Sequence, residues 1–344
     1  VTRVIQRRQL LKYGLLAGTT TAIAACQNRT NSSSSDKPSS LKSIKIAILT
    51  WVGYGPFFVA KDQKLFEKYG LDAEILKIED AAPRRSALAS QEVQFSISTL
   101  DWFAIEAAQG LPASCILKLD DSYGADGIVS SKEIAKVADL RGQSIAVEKG
   151  SPSHFFLLSL MKEAKLSAQD VQAIYMPTAG DAASAFSAGR AKAAVTWEPY
   201  LSTSAKQAPN AHILTTSREK PGLLLDLLIV HQEYAKTNPD AVSGVIKAWF
   251  DAVEYWKANP TQANAVIAKG LGVSEQEVSE MVKGCKYADL QENATYFGLK
   301  GNGTAPFFES FPKAQQVWIE AGLMTKTVKA DSVVNTSFLK GIQA

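Results

Sequence analysis

From residue 44 onward the chain alternates short β-branched apolar runs with longer stretches whose apolar residues recur at helical spacing. The runs at 44–49, 71–78, 93–98 and 113–119 predict strands, and the intervening segments 57–69, 84–90 and 102–109 predict helices. Gly70 and Gly110 stop two of those helices. The pattern resumes in what reads as a second unit: strands at 124–130, 143–147, 171–175 and 191–196, helices at 153–163 and 182–187, then apolar runs at 211–214 and 223–230. Such alternation predicts an α/β fold around a largely parallel sheet covered on both faces. The remainder reads as helical. Segment 239–257 sets Val242, Val245, Ile246, Trp249, Phe250 and Val253 three and four residues apart; 263–269 and 312–321 follow the same period. Segment 274–282 opens with Ser274 three residues before Glu277, a capping box. No repeat of fixed period stands out.

The start of the chain has a different pattern. Arg7, Arg8 and Lys12 precede a small-residue apolar stretch that runs to Ala25, and Cys26 follows. A basic segment, a short apolar segment and a small-residue processing site are the layout of an export signal, too short to span a membrane convincingly. Ile23-Ala24-Ala25-Cys26 resembles the lipobox of bacterial lipoproteins, which implies lipidation at Cys26. Arg7-Arg8 with Leu10, Leu11 and Lys12 also resembles a twin-arginine motif. The competing reading is an ordinary secretory signal with an incidental cysteine. Residues 28–43 are serine-rich and polar without periodicity, as in a flexible tether. The expected layout is therefore an export signal at 1–25, a tether at 26–42 and a body tethered outside the cytoplasmic membrane.

Charge and cysteine usage narrow the function. The formal net charge is +3, and loss of Arg3, Arg7, Arg8 and Lys12 with the signal leaves −1. The basic balance thus belongs to the signal and gives no argument for nucleic-acid binding. The remaining length exceeds one ordinary core and predicts two lobes. Cys115 and Cys285 have neither metal-site nor disulfide-scaffold spacing, and Cys115 lies in an apolar run, as a buried free thiol would. His154, His212 and His231 form no catalytic motif with them; there is no H-E-x-x-H, G-x-S-x-G or P-loop. We expect no enzyme, no cofactor and no resident metal.

Several motifs together carry a family resemblance: Gly53-Tyr54-Gly55-Pro56-Phe57-Phe58 after the first strand, Lys64-Leu65-Phe66-Glu67-Lys68-Tyr69-Gly70-Leu71, Asp139-Leu140-Arg141-Gly142 before a strand, and Trp197-Glu198-Pro199-Tyr200. Over residues 41–323 the chain resembles the solute-binding proteins of ABC importers, in the branch of nitrate, sulfonate, taurine and thiamine-precursor receptors. Thr50-Trp51-Val52-Gly53-Tyr54-Gly55-Pro56 resembles the opening of urea-carboxylase-associated receptors, several of which bind guanidine. The resemblance implies a type II periplasmic-binding-protein fold, with two lobes, a hinge and an interlobe cleft. It implies a first lobe at 43–122 and 230–344, a second at 123–229, and crossings near 120–124 and 227–230. It also implies a monomer that delivers a small solute to a membrane permease and its ATPase subunits.

Within that frame, strand-to-helix junctions supply the candidate ligand contacts. Trp51 and Tyr54 follow the first strand as an aromatic wall, or as core aromatics. Asp101 and Trp102 open a helix that Ser98 or Thr99 caps. Asp80 ends the second strand beside Glu79, and Pro83 is expected to hold Ala82 extended. Glu148 and Ser151 precede a helix whose free amides suit an anion, while His154 reads as a packing or capping residue. Trp197 and Glu198 suit a planar cation through a ring face and paired hydrogen bonds; the alternative for Glu198 is a helix cap or a pair with Arg190. Asp226 interrupts an apolar run, so it needs a partner if buried. These loops are rich in acids and poor in bases, which favours a small nitrogenous cation, guanidine first. Taurine, another aliphatic sulfonate, nitrate, urea or a thiamine pyrimidine precursor are the alternatives.

Overall fold

A computed structural model describes residues 41–300 and 305–343. The expected signal 1–25, the lipidation expected at Cys26 and the tether up to residue 40 lie outside the described residues. The chain forms β1 (Lys42–Ile48), β2 (Leu71–Lys77), β3 (Phe95–Thr99) and β4 (Ala113–Ser122). It then builds β5 (Asp126–Ser131), β6 (Ser144–Glu148), β7 (Gln172–Met176), β8 (Ala193–Trp197) and β9 (Ala211–Thr216). It returns through β10 (Leu225–His231) and adds β11 (Cys285–Tyr287). One sheet has the order β11-β4-β10-β3-β1-β2, the other β7-β6-β8-β5-β9.

Both sheets are mixed, where the sequence predicts a largely parallel one. β1 runs parallel to β2 and β3, and β6 parallel to β7 and β8. β10 is antiparallel to β3 and β4, and β5 is antiparallel to β8 and β9. The reason is the crossing: β5 and β10 each enter their sheet from the cleft end, whereas β1, β3, β6 and β8 run towards it. The return crossing lies at 217–224, not at the expected 227–230, because Leu225–His231 already pairs in the first sheet. The boundary placed at 229 therefore falls inside a first-lobe strand.

Local chemistry explains three further differences. The stretch expected as one helix at 57–69 is two, Gly55–Asp62 and Leu65–Lys68, parted by Lys64 in the left-handed region at φ 54°. Ala82 is helical, contrary to the expectation drawn from Pro83, because Asp80 caps a helix over Ala81–Ala89 and Pro83 sits in its first turn. There the missing N–H is one that no helical carbonyl accepts. The helix expected at 312–321 starts at Pro306 and carries Pro312 within it. Strand β11 and the helices Leu290–Tyr296 and Ser337–Gln343 have no counterpart in the sequence reading.

The first lobe packs around the helix Pro239–Ala258, which buries Val242, Val245, Ile246, Trp249 and Val253. Trp249 meets Phe57 at 4.7 Å between ring centroids. A smaller core of Val129, Ala146, Ala182, Ala185, Phe186 and Leu201 holds part of the second lobe. Buried Asn293 secures β4 by accepting from the Lys118 N–H at 2.8 Å and donating to its carbonyl at 3.0 Å. The lobes are closed on one another. Trp318 of the first packs against His154 and Phe155 of the second, and Lys162 pairs with Glu320 at 2.8 Å. Cys115 and Cys285 are free and buried. Among the described residues no helix is long and apolar enough to cross a membrane.

Candidate functional site

The cleft-facing ends of β1, β3, β5, β8 and β10 converge on one cavity. Leu49, Trp51 and Tyr54 come from the turn after β1, Thr99 and Trp102 from the β3 junction, and Leu224 and Asp226 from the start of β10. The second lobe adds Asp126, Pro152 and Trp197. Among the described residues that line it there is no lysine, arginine or histidine. The empty space among these residues is about 310 Å³, part of it open to solvent. Trp197 closes it by donating its Nε1–H to the Thr50 carbonyl of the other lobe at 3.0 Å.

Strand register puts acids side by side. Asp226 on β10 lies opposite Thr99 on β3 and Asp120 on β4, and Asp126 on β5 lies opposite Trp197 on β8. All three carboxylates are buried. The Tyr54 hydroxyl donates to Asp226, while both oxygens of Asp120 and the Trp51 Nε1 lack a partner among the described residues. Gly53 lies against both groups, and a Cβ there would collide with each. Burial is the main force on these acids and disfavours their charged forms. It pushes the Asp126 carboxyl up to about 7, helped by the charge of Glu198. Asp120 is held well above the ordinary carboxylate range by burial and then by the charge of Asp121, and Asp226 by burial and then by the charge of Asp120. Beside the cavity, the buried Arg84 guanidinium lies 4.9 Å from the Trp102 ring centroid. It donates to the carbonyls of Ile78 and Glu79 at 2.8 and 3.2 Å.

A family model described as NMT1/THI5 like matches residues 51–263. The chain belongs to this family. The taurine-binding periplasmic protein of Escherichia coli is 26% identical over 262 residues, covering 73% of this chain and 80% of that protein. A putative aliphatic sulfonates-binding protein of Bacillus subtilis is 28% identical over 311 residues, 87% and 88% of the two chains. The crystal structure of the periplasmic aliphatic sulphonate binding protein of Escherichia coli superimposes with a TM-score of 0.70 at 20% identity, covering 86% of this chain and 97% of that one. The periplasmic nitrate-binding protein of Synechocystis gives 0.68 at 14% identity, covering 88% of each. The fold is accordingly the two-lobed type II periplasmic-binding-protein fold. By family and fold this protein stands among the extracytoplasmic solute-binding receptors of ABC importers, binding proteins rather than enzymes.

In this receptor, five of the ten ligand candidates line the cavity: Trp51, Tyr54, Trp102, Trp197 and Asp226. Of the other five, Asp80, Glu198 and Ser151 have local duties. Asp80 caps its helix by accepting the Ala82 N–H at 3.0 Å, and Glu198 accepts the Ser202 N–H at 3.1 Å in the first turn of Tyr200–Gln207. Ser151 caps the helix Pro152–Glu163 through the His154 N–H at 3.3 Å and donates to the Glu148 carbonyl at 2.7 Å. Glu148 is buried with its carboxyl up at about 8, chiefly from burial, and Arg84 across the cleft opposes that rise. Asp101 is buried with both oxygens unpartnered and its carboxyl up at about 7 from burial, and it lies outside the lining. His154 packs against Tyr175 and Trp318. Sequence reasoning missed Asp120 and Asp126. Their signal was present: acids flanking the crossing at 120–124, at the inner ends of two apolar runs.

Proposed function

We propose that this receptor captures a small planar nitrogenous cation, guanidinium fitting best, and hands it to the permease. The observation that carries this reading is the lining itself: Asp126 and Asp226 among three tryptophans and a tyrosine, with no basic side chain. A sulfonate or nitrate entering there finds carboxyl groups and no basic side chain to neutralise its charge in a desolvated contact. A guanidinium instead gains charge-assisted hydrogen bonds and ring-face attraction. Arg84 on Trp102 is an internal instance of that stacking. Among the described residues no three acids, histidines or cysteines cluster tightly enough for a metal ion. Carboxylates spread in this way suit a cation with several donors in one plane. Trp51, Tyr54, Trp102, Trp197, Asp126 and Asp226 are the contacts we assign. Lobe closure around the solute desolvates these contacts and strengthens them. Lipid attachment at Cys26 and a monomeric state complete the proposal.

A second reading draws on the relatives' names, taurine-binding and aliphatic sulfonates-binding. Taurine's ammonium end suits the same acids, and its sulfonate then falls to the free amides at the start of Pro152–Glu163. Calorimetric titration with guanidinium, urea, taurine, nitrate and a thiamine pyrimidine separates the two. Saturable guanidinium binding at micromolar or tighter affinity, with little heat from the anions, supports the cation receptor. Clear taurine or nitrate binding without guanidinium heat rejects it.

A further inference from the structure

Asp120 and Asp226 face each other across β4 and β10, with 0% and 5% of their surfaces exposed. Like charges opposed in an antiparallel pair repel, and two carboxylates sharing a dry site do not both ionise near neutral pH without a cation. Lys118, the cation that acts on Asp120, is engaged with a neighbouring acid. Tyr54 after β1 donates its hydroxyl to Asp226. Asp101 on the helix Leu100–Ala108 and Asp126 on β5 add negative charge around Asp226. On β4 itself Asp121 opposes ionisation of Asp120, and Lys118, which favours it, is paired with Asp121 at 2.5 Å. On β11 the buried Cys285 and Tyr287 are held in their neutral forms by burial. Arg84 acts on Tyr54, while its Nη1 is bonded to backbone carbonyls.

We propose that the Asp120–Asp226 pair holds a proton while the cleft is empty and releases it to water when a cation enters, so that capture exchanges a cation for a proton. The inference rests on the cation reading of the cavity. In the exchange the carboxyl O–H bond breaks, its electron pair stays on the carboxylate oxygen, and the proton leaves to solvent. The carboxylate then accepts an N–H hydrogen bond from the cation, which keeps its own protons. The net charge of the pair and its occupant is therefore the same before and after the exchange. Linkage then requires that affinity rise with pH, by up to about tenfold per unit for each proton displaced.

Two measurements on the intact receptor test this. Infrared spectra of the solute-free protein near neutral pH are expected to show the C=O stretch of protonated carboxyl groups. Asp120→Asn and Asp226→Asn are each expected to remove part of that band. Guanidinium chloride titrated calorimetrically at one pH, in buffers of different ionisation enthalpy, is expected to release about half to one proton per site. Either substitution is expected to at least halve that release. Absence of the band, or binding with no buffer dependence, overturns the exchange and leaves the cation reading standing. No guanidinium binding, with the band present and sensitive to both substitutions, rejects the cargo and the exchange while the proton-holding pair remains. Both spectral and heat readings on the unaltered protein stand even if a variant fails to fold.

Discussion

Asp126→Asn in the solute-free receptor is expected to stabilise the fold above neutral pH and to leave it little changed in acid. Burial raises the Asp126 carboxyl from 3.8 in a free chain to about 7 in the fold. Between those values the folded state holds a proton that the unfolded state has lost, so stability falls as pH rises through that window and levels off above it. At 1.36 kcal/mol per pKa unit the full fall is about 4 kcal/mol, of which about 2–3 kcal/mol lies between pH 5 and pH 8. Water entry and side-chain relaxation upon ionisation make these figures ceilings. Asparagine is neutral throughout and avoids that loss. It also relieves Asp101, Asp120 and Asp226, each of which the Asp126 charge pushes upward. The assay is thermal unfolding of wild type and variant at both pH values. Heat is preferable here because urea and guanidinium, the usual denaturants, are both candidate solutes. For a chain of this size about 2 °C of Tm accompanies each kcal/mol, so the variant's advantage is expected to grow by about 5 °C from pH 5 to pH 8. An advantage that is equal at the two pH values, or a variant less stable at the higher one, refutes the reasoning.

Three further substitutions probe the closed cleft and its support. Trp197→Phe keeps a ring against the solute and removes the bond to the Thr50 carbonyl; a net hydrogen bond of about 1 kcal/mol translates into roughly fivefold weaker solute binding, and unchanged affinity argues against Trp197 as an interlobe latch. Gly53→Ala forces a Cβ onto the Trp51 indole and the Asp120 carboxylate. It is expected to cost about 1–3 kcal/mol of stability and to lower affinity, checked by thermal unfolding and titration together. Asn293→Ala leaves the Lys118 N–H and carbonyl without their side-chain partner in the core; a loss of about 2–4 kcal/mol in thermal stability is expected, and a neutral result implies that water replaces the amide.

The apolar runs and the spacing between them were enough to read eight of the eleven strands and the long helix Pro239–Ala258, and to mark two more strands as apolar runs, because those signals are local and strong. Helix ends were less legible: the first turn of Ala81–Ala89 tolerates Pro83, and the Lys64 break depends on a single left-handed residue. β11 has three residues, too few to show a period of two. Within the site, aromatic residues at strand ends were readable as cleft residues, since strand ends line the opening between lobes in this type of fold. Acids were harder. Asp80 and Glu198 stand at equally suggestive places, yet each binds a backbone N–H in its own helix, and local sequence carries no information on whether a carboxylate turns inward or caps.

The sequence by itself determined that the chain is an α/β protein, that acids and tryptophans gather at its strand ends, and that basic residues there are scarce. Only the tertiary structure decided which acids meet. Asp120, Asp126 and Asp226 are far apart along the chain or lie on strands of different sheets, and they come together because β5 and β10 enter their sheets from the cleft end. Hydrophobic period is a property of neighbours along the backbone. The pairing of Asp226 with Asp120, and the burial that makes both resist ionisation, arise from strand register and lobe closure, which no stretch of local sequence encodes alone.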